Sequence, residues 1–128
     1  MTWLVGDVLA LDLSASAFDL WHDRAVFHFL TQAEDRLRYV AQVRRTVAPG
    51  GHVLVATFAE DGPTRGSGLE VSRYSPSALH HEFGLDFRLL ASERETHLSP
   101  AGSLQAFTYC LCQYEPDAQP CAAALPAL

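Results

Sequence analysis

Val47-Ala48-Pro49-Gly50-Gly51-His52-Val53-Leu54-Val55-Ala56-Thr57-Phe58 is the stretch whose reading decides the architecture. Pro49-Gly50-Gly51 predicts the end of a helix, because Pro cannot continue one and Gly accepts the conformations of a tight turn. From His52 to Phe58 the chain is apolar on both faces. A half-solvated strand alternates polar with apolar residues. A run without that alternation marks a central parallel strand covered on two sides by helices.

Upstream, Thr31-Gln32-Ala33-Glu34 matches a capping box, with Thr31 capping the helix and Glu34 reaching back to its amide. Leu37, Val40, Val43 and Val47 follow as an apolar stripe on one helical face. Glu34 and Arg38, four apart, can pair on the solvent side. Before the helix, Phe18-Asp19-Leu20-Trp21-His22 reads as a strand ending near Asp23 and Arg24. Trp3-Leu4-Val5-Gly6-Asp7 reads as an earlier buried strand closed by Gly-Asp and followed by a loop.

Downstream, residues 60–74 hold Asp61-Gly62-Pro63 and Gly66-Ser67-Gly68 and read as a loop long enough to suggest function. Ser75-Pro76 starts a second helix, which runs through Phe83 to Gly84; His80 and His81 are expected to face solvent on it. Residues 87–97 and 105–114 alternate around the turn Ser99-Pro100-Ala101-Gly102 and predict an antiparallel hairpin. In the second arm Ala106, Thr108, Cys110 and Cys112 share one face, opposite Phe107, Tyr109 and Leu111. Residues 116–128, rich in Ala and Pro, read as a poorly ordered tail after a domain over residues 1–115. Strands alternating with helices and closed by a hairpin give the α/β class.

Composition bounds the function. The chain has 128 residues, with 9 Lys+Arg against 15 Asp+Glu for a formal charge of −6. That length allows one domain, and 48% hydrophobic with 19% charged residues is globular, not disordered, usage. The acidic balance argues against nucleic acid as a partner, since phosphate binding needs clustered Lys and Arg. The apolar runs are far short of the roughly 20 residues of a membrane helix, and Asp7 and Asp12 interrupt the start, where no basic leader precedes a signal-like core. Three Cys form neither a disulfide framework nor a metal-ligand spacing, so cytoplasm and no metal are the expectations.

Three segments in this order resemble the C-terminal portion of a class I S-adenosylmethionine-dependent methyltransferase. Gly6-Asp7 is similar to the acidic loop that reaches the adenine in that family. Phe18-Asp19-Leu20-Trp21 through Phe27-His28-Phe29-Leu30 is similar to its fourth strand and following turn. Val47-Ala48-Pro49-Gly50-Gly51-His52 is similar to its L-x-P-G-G entry into the fifth strand. Trp21-His22-Asp23-Arg24 further resembles the W-D-R element of thiopurine-type small-molecule methyltransferases. The resemblance implies a partial Rossmann-like sheet, equivalent to strands 3 to 7 of the family with an antiparallel last pair. It also implies S-adenosylmethionine as cofactor and a small molecule as methyl acceptor.

The resemblance assigns cofactor contacts to Asp7, Val8, His22, Asp23 and Arg24, at the carboxyl end of a parallel strand, where ligands bind in open α/β sheets. It assigns substrate contacts to Arg24, His28, Arg65 and Tyr74, the last two in the long loop with Asp61. The alternative for Asp7 is a turn aspartate, for Asp23 and Arg24 a surface ion pair, and for His28 a packed core histidine. Methyl transfer in such enzymes rests largely on placing the nucleophile in line, so no catalytic base is named. The family's Gly-x-Gly-x-Gly turn occurs nowhere in the sequence, and its first two strands have no counterpart. Cofactor binding is therefore expected to be weak or absent. Phe18-Asp19-Leu20-Trp21 becomes an unprotected sheet edge that invites self-association. The competing reading is a non-catalytic remnant or interaction module that uses this edge.

Overall fold

In a computed structural model, which describes residues 3–116, the chain forms one mixed sheet with helices on one side. Strand β1 (Phe18–Arg24) leads through a single 3-10 turn (Phe27–Phe29) into helix α1 (Ala33–Thr46). Strand β2 (Val47–Phe58), a small ribbon of β3 (Arg65–Gly66) and β4 (Leu69–Glu70), and helix α2 (Pro76–Phe83) follow. β5 (Phe87–Leu98) and β6 (Leu104–Tyr114) complete the order. The main sheet runs β1-β2-β6-β5; β1 is parallel to β2, while β6 is antiparallel to both of its neighbours. The α/β class and the terminal hairpin are as expected. The tail reading falls almost wholly on residues 117–128, outside the described residues.

The predicted strand over Trp3-Leu4-Val5 does not form. A strand exists through its ladder, and among the described residues nothing pairs with the outer edge of β1. Trp3 is 82% and Val5 100% exposed. The chain instead runs across α1. The Gln42 amide donates to the carbonyls of Val8 (3.2 Å) and Leu11 (2.7 Å), and Arg45 reaches the Leu13 carbonyl.

Helix α1 also departs from its predicted detail. Its N-cap is Gln32, with no side-chain cap bond, because Thr31 is drawn into the preceding turn by donating its amide to Phe29. The Gln32 carbonyl accepts the first bonds instead, from Asp35 and Arg36. Glu34 and Asp35 in the first turn and Arg44 and Arg45 in the last oppose the helix dipole. The buried face is Tyr39, Val40, Gln42, Val43 and Thr46, which rolls Leu37 out to 70% exposure. Glu34 and Arg38 do pair at the surface, at 3.3 Å.

The helix ends at Thr46, before Pro49. Val47 is already extended and opens β2. Pro49-Gly50-Gly51 is a kink inside that strand: the β1 partners jump from Phe18↔Val47 to Leu20↔His52 across it. Gly50 sits at φ +86, and a Cβ on Gly51 would meet the Ala48 carbonyl at 2.9 Å and the Asp19 carbonyl at 3.2 Å. Ser75 caps α2 through its hydroxyl, which accepts from the Ala78 amide at 3.2 Å, with Pro76 at the start as predicted.

Between sheet and helices lies the main core. Val53 and Val55 of β2 and Cys110, Cys112 and Tyr114 of β6 pack against Tyr39, Val40, Val43, Leu79 and Phe83. Burial pushes the Cys110 thiol up to about 11, and burial with the neighbouring sulfur pushes Cys112 up to about 12; both are small core residues. Among the described residues the other sheet face carries no helix, contrary to the helical cover predicted for both sides of β2; its C-terminal half is nonetheless buried on both faces, because Ala56 and Phe58 pack with Phe107, Val71 and Phe29 in a second, smaller core. The helices of the described residues both pack against the same side, and Leu20 on the open face is 56% exposed.

Candidate functional site

The carboxyl end of β1 is built around one buried carboxylate. Asp23 is 5% exposed and accepts the amides of Val26 (2.9 Å) and Phe27 (3.0 Å) together with the Tyr39 hydroxyl. Tyr39 in turn accepts from the Trp21 indole at 2.8 Å, and the two rings meet edge to face at 5.5 Å. Strand, turn and helix are thereby fastened at one point. Burial raises the Asp23 pKa from its ordinary value, while the Tyr39, Val26 and Phe27 hydrogen bonds oppose that rise. Tyr39 is raised as well, by burial and by the carboxylate beside it, so it stays a neutral donor.

Arg24 does not pair with Asp23. It turns to the open sheet face, donates from Nε to Tyr109 (3.2 Å) and lies 5.0 Å above the Phe107 ring. Ala25 follows at φ +66, and its amide donates to Ala56 at 2.9 Å. Along the margin of β1 is a hollow of about 210 Å³, lined by Val8, Trp21, His22, Asp23, Arg24, Val26 and Tyr39. Four of the five predicted cofactor residues meet there. The fifth, Asp7, caps its own turn by accepting the Leu9 amide at 2.9 Å.

The predicted substrate residues separate. His28 is 1% exposed and its Nδ1 accepts the Phe58 amide at 3.0 Å. Its ring packs on Phe29 and Phe58 at 4.7 and 4.5 Å. Burial lowers its pKa to about 4, so it is neutral at pH 7 and is a core histidine. Arg65 is exposed and its Nη1 donates to the Gly68 carbonyl at 3.0 Å, closing the β3–β4 ribbon. Tyr74 is bridged to Ala59 at the end of β2 and 7% exposed. Burial raises its hydroxyl pKa.

Tyr74 lines a second, polar hollow of about 450 Å³ with Arg36, Glu60, Ser72, Arg73 and Glu82. Arg36 and Glu82 pair across it at 2.6 Å, which ties the first turn of α1 to α2. The segment after β2 is anchored on β5, where Arg94 holds Glu60 (3.0 Å) and Asp61. His80 bonds the Phe87 carbonyl and is only partly exposed, while His81 is exposed. Sequence reasoning missed Tyr39, Arg36 and Glu82. Tyr39 lies outside the stripe of Leu37, Val40, Val43 and Val47 that the spacing singles out; Arg36 and Glu82 lie 46 residues apart with no local signal linking them. No group of three or more metal-ligating side chains occurs among the described residues.

Comparison with known proteins gives this arrangement a fold. The sequence model of the family described as "Methyltransferase domain" matches residues 1–55. No curated protein matches the sequence. A S-adenosylmethionine-dependent methyltransferase of Methanosarcina mazei superposes with a TM-score of 0.68 at 12% identity, over 88% of this chain and 66% of that one. The 1,6-didemethyltoxoflavin-N1-methyltransferase of Burkholderia thailandensis, solved with 1,6-didemethyltoxoflavin and S-adenosylhomocysteine, superposes with 0.63 at 18% identity, over 88% and 50%. A [4+2]-cyclase does so with 0.62 at 16% identity, over 88% and 55%. The chain has the Rossmann-like fold of S-adenosylmethionine-dependent methyltransferases, and it spans about half to two thirds of the length of these structures.

The residues present fit that cofactor only in part. Both Asp23 oxygens and one Asp7 oxygen are already spent within the chain. The hollow at β1 is smaller than the roughly 300–1,000 Å³ of small-molecule and cofactor sites. The described residues supply no second wall for a nucleoside.

Proposed function

We propose that this chain is the acceptor-side part of a S-adenosylmethionine-dependent methyltransferase acting on a small molecule, with a cofactor site that is incomplete within the chain. What carries the reading is the coincidence of two findings. The methyltransferase family model matches residues 1–55, and the same residues bring Val8, His22, Asp23 and Arg24 to one hollow at the carboxyl end of β1. Ligands of open α/β sheets bind at that end. The polar hollow under Tyr74 supports a small, polar acceptor. The Trp21-His22-Asp23-Arg24 element supports kinship with thiopurine-type enzymes, although Trp21 and Asp23 work here as fastenings of the fold. The absence of a disulfide framework in the sequence supports a cytoplasmic setting.

Calorimetric titration of the 128-residue chain with S-adenosylhomocysteine tests the reading. Binding is expected to be millimolar or undetectable; micromolar affinity would show the site to be complete after all.

The second reading is a non-catalytic module that associates through the outer edge of β1. It is favoured by one observation: β1 ends the sheet, and half of its ladder groups have no strand beside them among the described residues. Light scattering that finds only monomer at high concentration excludes it.

A further inference from the structure

The polar hollow of about 450 Å³ lined by Tyr74 lies at the same end of the sheet as Asp23. β1 ends at Arg24, beside Ala56 of the parallel β2, and β2 runs on only to Phe58 before Ala59 bridges to Tyr74. Its polar lining comes from three parts of the chain. Arg36 is supplied by α1, Glu82 by α2, and Glu60, Ser72, Arg73 and Tyr74 by the segment between β2 and α2. Its volume falls within the roughly 300–1,000 Å³ of small-molecule sites.

The charges of the hollow are unevenly spent. Glu82 faces Arg36 at 2.6 Å and Glu60 is held by Arg94 at 3.0 Å, so each carboxylate there already has a guanidinium. Asp61 lies near enough to Arg73 for the two charges to interact, but it too is held by Arg94. Among the described residues Arg73 forms no ion pair of its own. It is exposed, and its Nη1 donates to the Gly62 carbonyl at 3.1 Å. That bond to a neutral acceptor steadies the guanidinium without neutralising it. Two hydroxyls stand close by. The Tyr74 ring packs on Phe27 at 5.7 Å, and its hydroxyl has Ser72 beside it, with Arg36 and Glu82 acting on it in opposite senses. Burial keeps the phenol protonated, so it is available as a donor at neutral pH, as a serine hydroxyl is.

We propose that this hollow binds a small organic acid, its carboxylate held by Arg73 and by the Ser72 and Tyr74 hydroxyls. The inference deepens the acceptor-side reading above and rests on it for the role of the bound molecule, though not for its charge. A guanidinium meets a carboxylate through paired, charge-assisted N–H···O bonds, and Arg73 commits only Nη1 within the chain. An amine of the same size finds no unpaired carboxylate. It would have to displace Arg94 from Glu60 or Arg36 from Glu82, and it would meet the Arg73 charge on the way. An acid leaves both pairs in place.

Benzoate, benzylamine and benzyl alcohol share a ring and differ in charge, and titrating each into the full, isotopically labelled chain by NMR tests the proposal. Benzoate is expected to shift the amides of residues 72–74 with a dissociation constant of about 1 mM. The amine and the alcohol should bind about ten-fold more weakly or not at all. Arg73→Gln keeps a donor for the Gly62 carbonyl and loses the charge; it should weaken benzoate about ten-fold. Arg88→Ala removes an exposed arginine paired with Glu115 and should leave benzoate binding unchanged. The same spectra show whether each variant is folded. Benzylamine binding as tightly as benzoate overturns the proposal, and the wild-type comparison needs no variant. So does benzoate binding that Arg73→Gln leaves intact, that maps to other residues, or that is missing up to about 20 mM. Inorganic phosphate binding the same amides more tightly than benzoate would mark a general oxyanion site and overturn the organic acid. No S-adenosylhomocysteine is present, so failure here removes the acid and leaves the cofactor-side reading to its own calorimetric test.

Discussion

His28 is the residue whose chemistry differs most from its sequence-level promise. A histidine in a Phe-rich turn next to a candidate site invites an acid–base role, yet its imidazole is sealed between Phe29 and Phe58 and serves the Phe58 amide. Its folded pKa, near 4, lies below the ordinary value of about 6.5. The unfolded chain therefore binds the proton more readily than the folded one, and the stability this neutral ring contributes is present above pH 6.5 and lost as pH falls toward 4. A depression of this size corresponds to a loss on the order of 2–3 kcal/mol across that window. Urea midpoints of wild type and His28→Asn measured from pH 7 to pH 4 should converge as pH falls. A constant gap would mean that the ring titrates normally. Asp23 shows why some residue roles were legible and others were not. Its position at a strand end, and hence its importance, could be read from the sequence. Its partner could not, because Tyr39 comes from a helix whose rotation about its axis is set only by packing.

At the level of elements, α1 exists where its periodicity places it but turns a different face inward. Leu37 belongs to the apolar stripe on paper and is exposed in the fold, whereas Val43 is fully buried against the sheet. Leu37→Lys is expected to change stability by less than about 0.5 kcal/mol. Val43→Ala should cost on the order of 2 kcal/mol through lost contacts and a small cavity. Chemical denaturation of the two variants separates the alternatives, and equal costs would restore the sequence-derived stripe. The hairpin and the cap of α2 were fully legible, since turn residues and Ser-Pro act locally. The Pro49-Gly50-Gly51 segment was not. Its composition specifies a break, but only the neighbouring β1 decides that the break is a kink within a strand rather than the end of a helix.

For the molecule as a whole, the sequence of β2 anticipates helices on both faces; the structure sets helices on one face and covers the other only at its Ala56–Phe58 end, with Val71 and Phe29. The difference lies in what adjoins the strand, not in the strand itself. The N-terminal segment shows the same logic, because residues 3–7 carry strand-like composition with no ladder to join. Residues 8–13 are instead laced to α1 by Gln42 and Arg45. Gln42→Ala should raise amide exchange over residues 8–13 by about ten-fold or more while leaving β2 and β6 protected, since a local opening need not propagate to the core. Uniform loss of protection would show that the segment is integral to the core. The strand order has a temporal consequence. β5 and β6 are joined by a tight turn and close a short loop, whereas β1 reaches β2 only after α1 has formed and folded back. Loop-closure entropy favours the near contact over the far one. The hairpin is thus the part that a refolding chain assembles first; β1 and β2, whose partners lie 32 residues apart (Leu20↔His52), pair more readily than β2 and β6, whose partners lie 49 or more apart (Phe58↔Phe107). The two halves of the sheet are built separately and sealed last along the β2–β6 seam, so the weakest moment of assembly falls in the middle of the sheet and not at the margin that holds the candidate site.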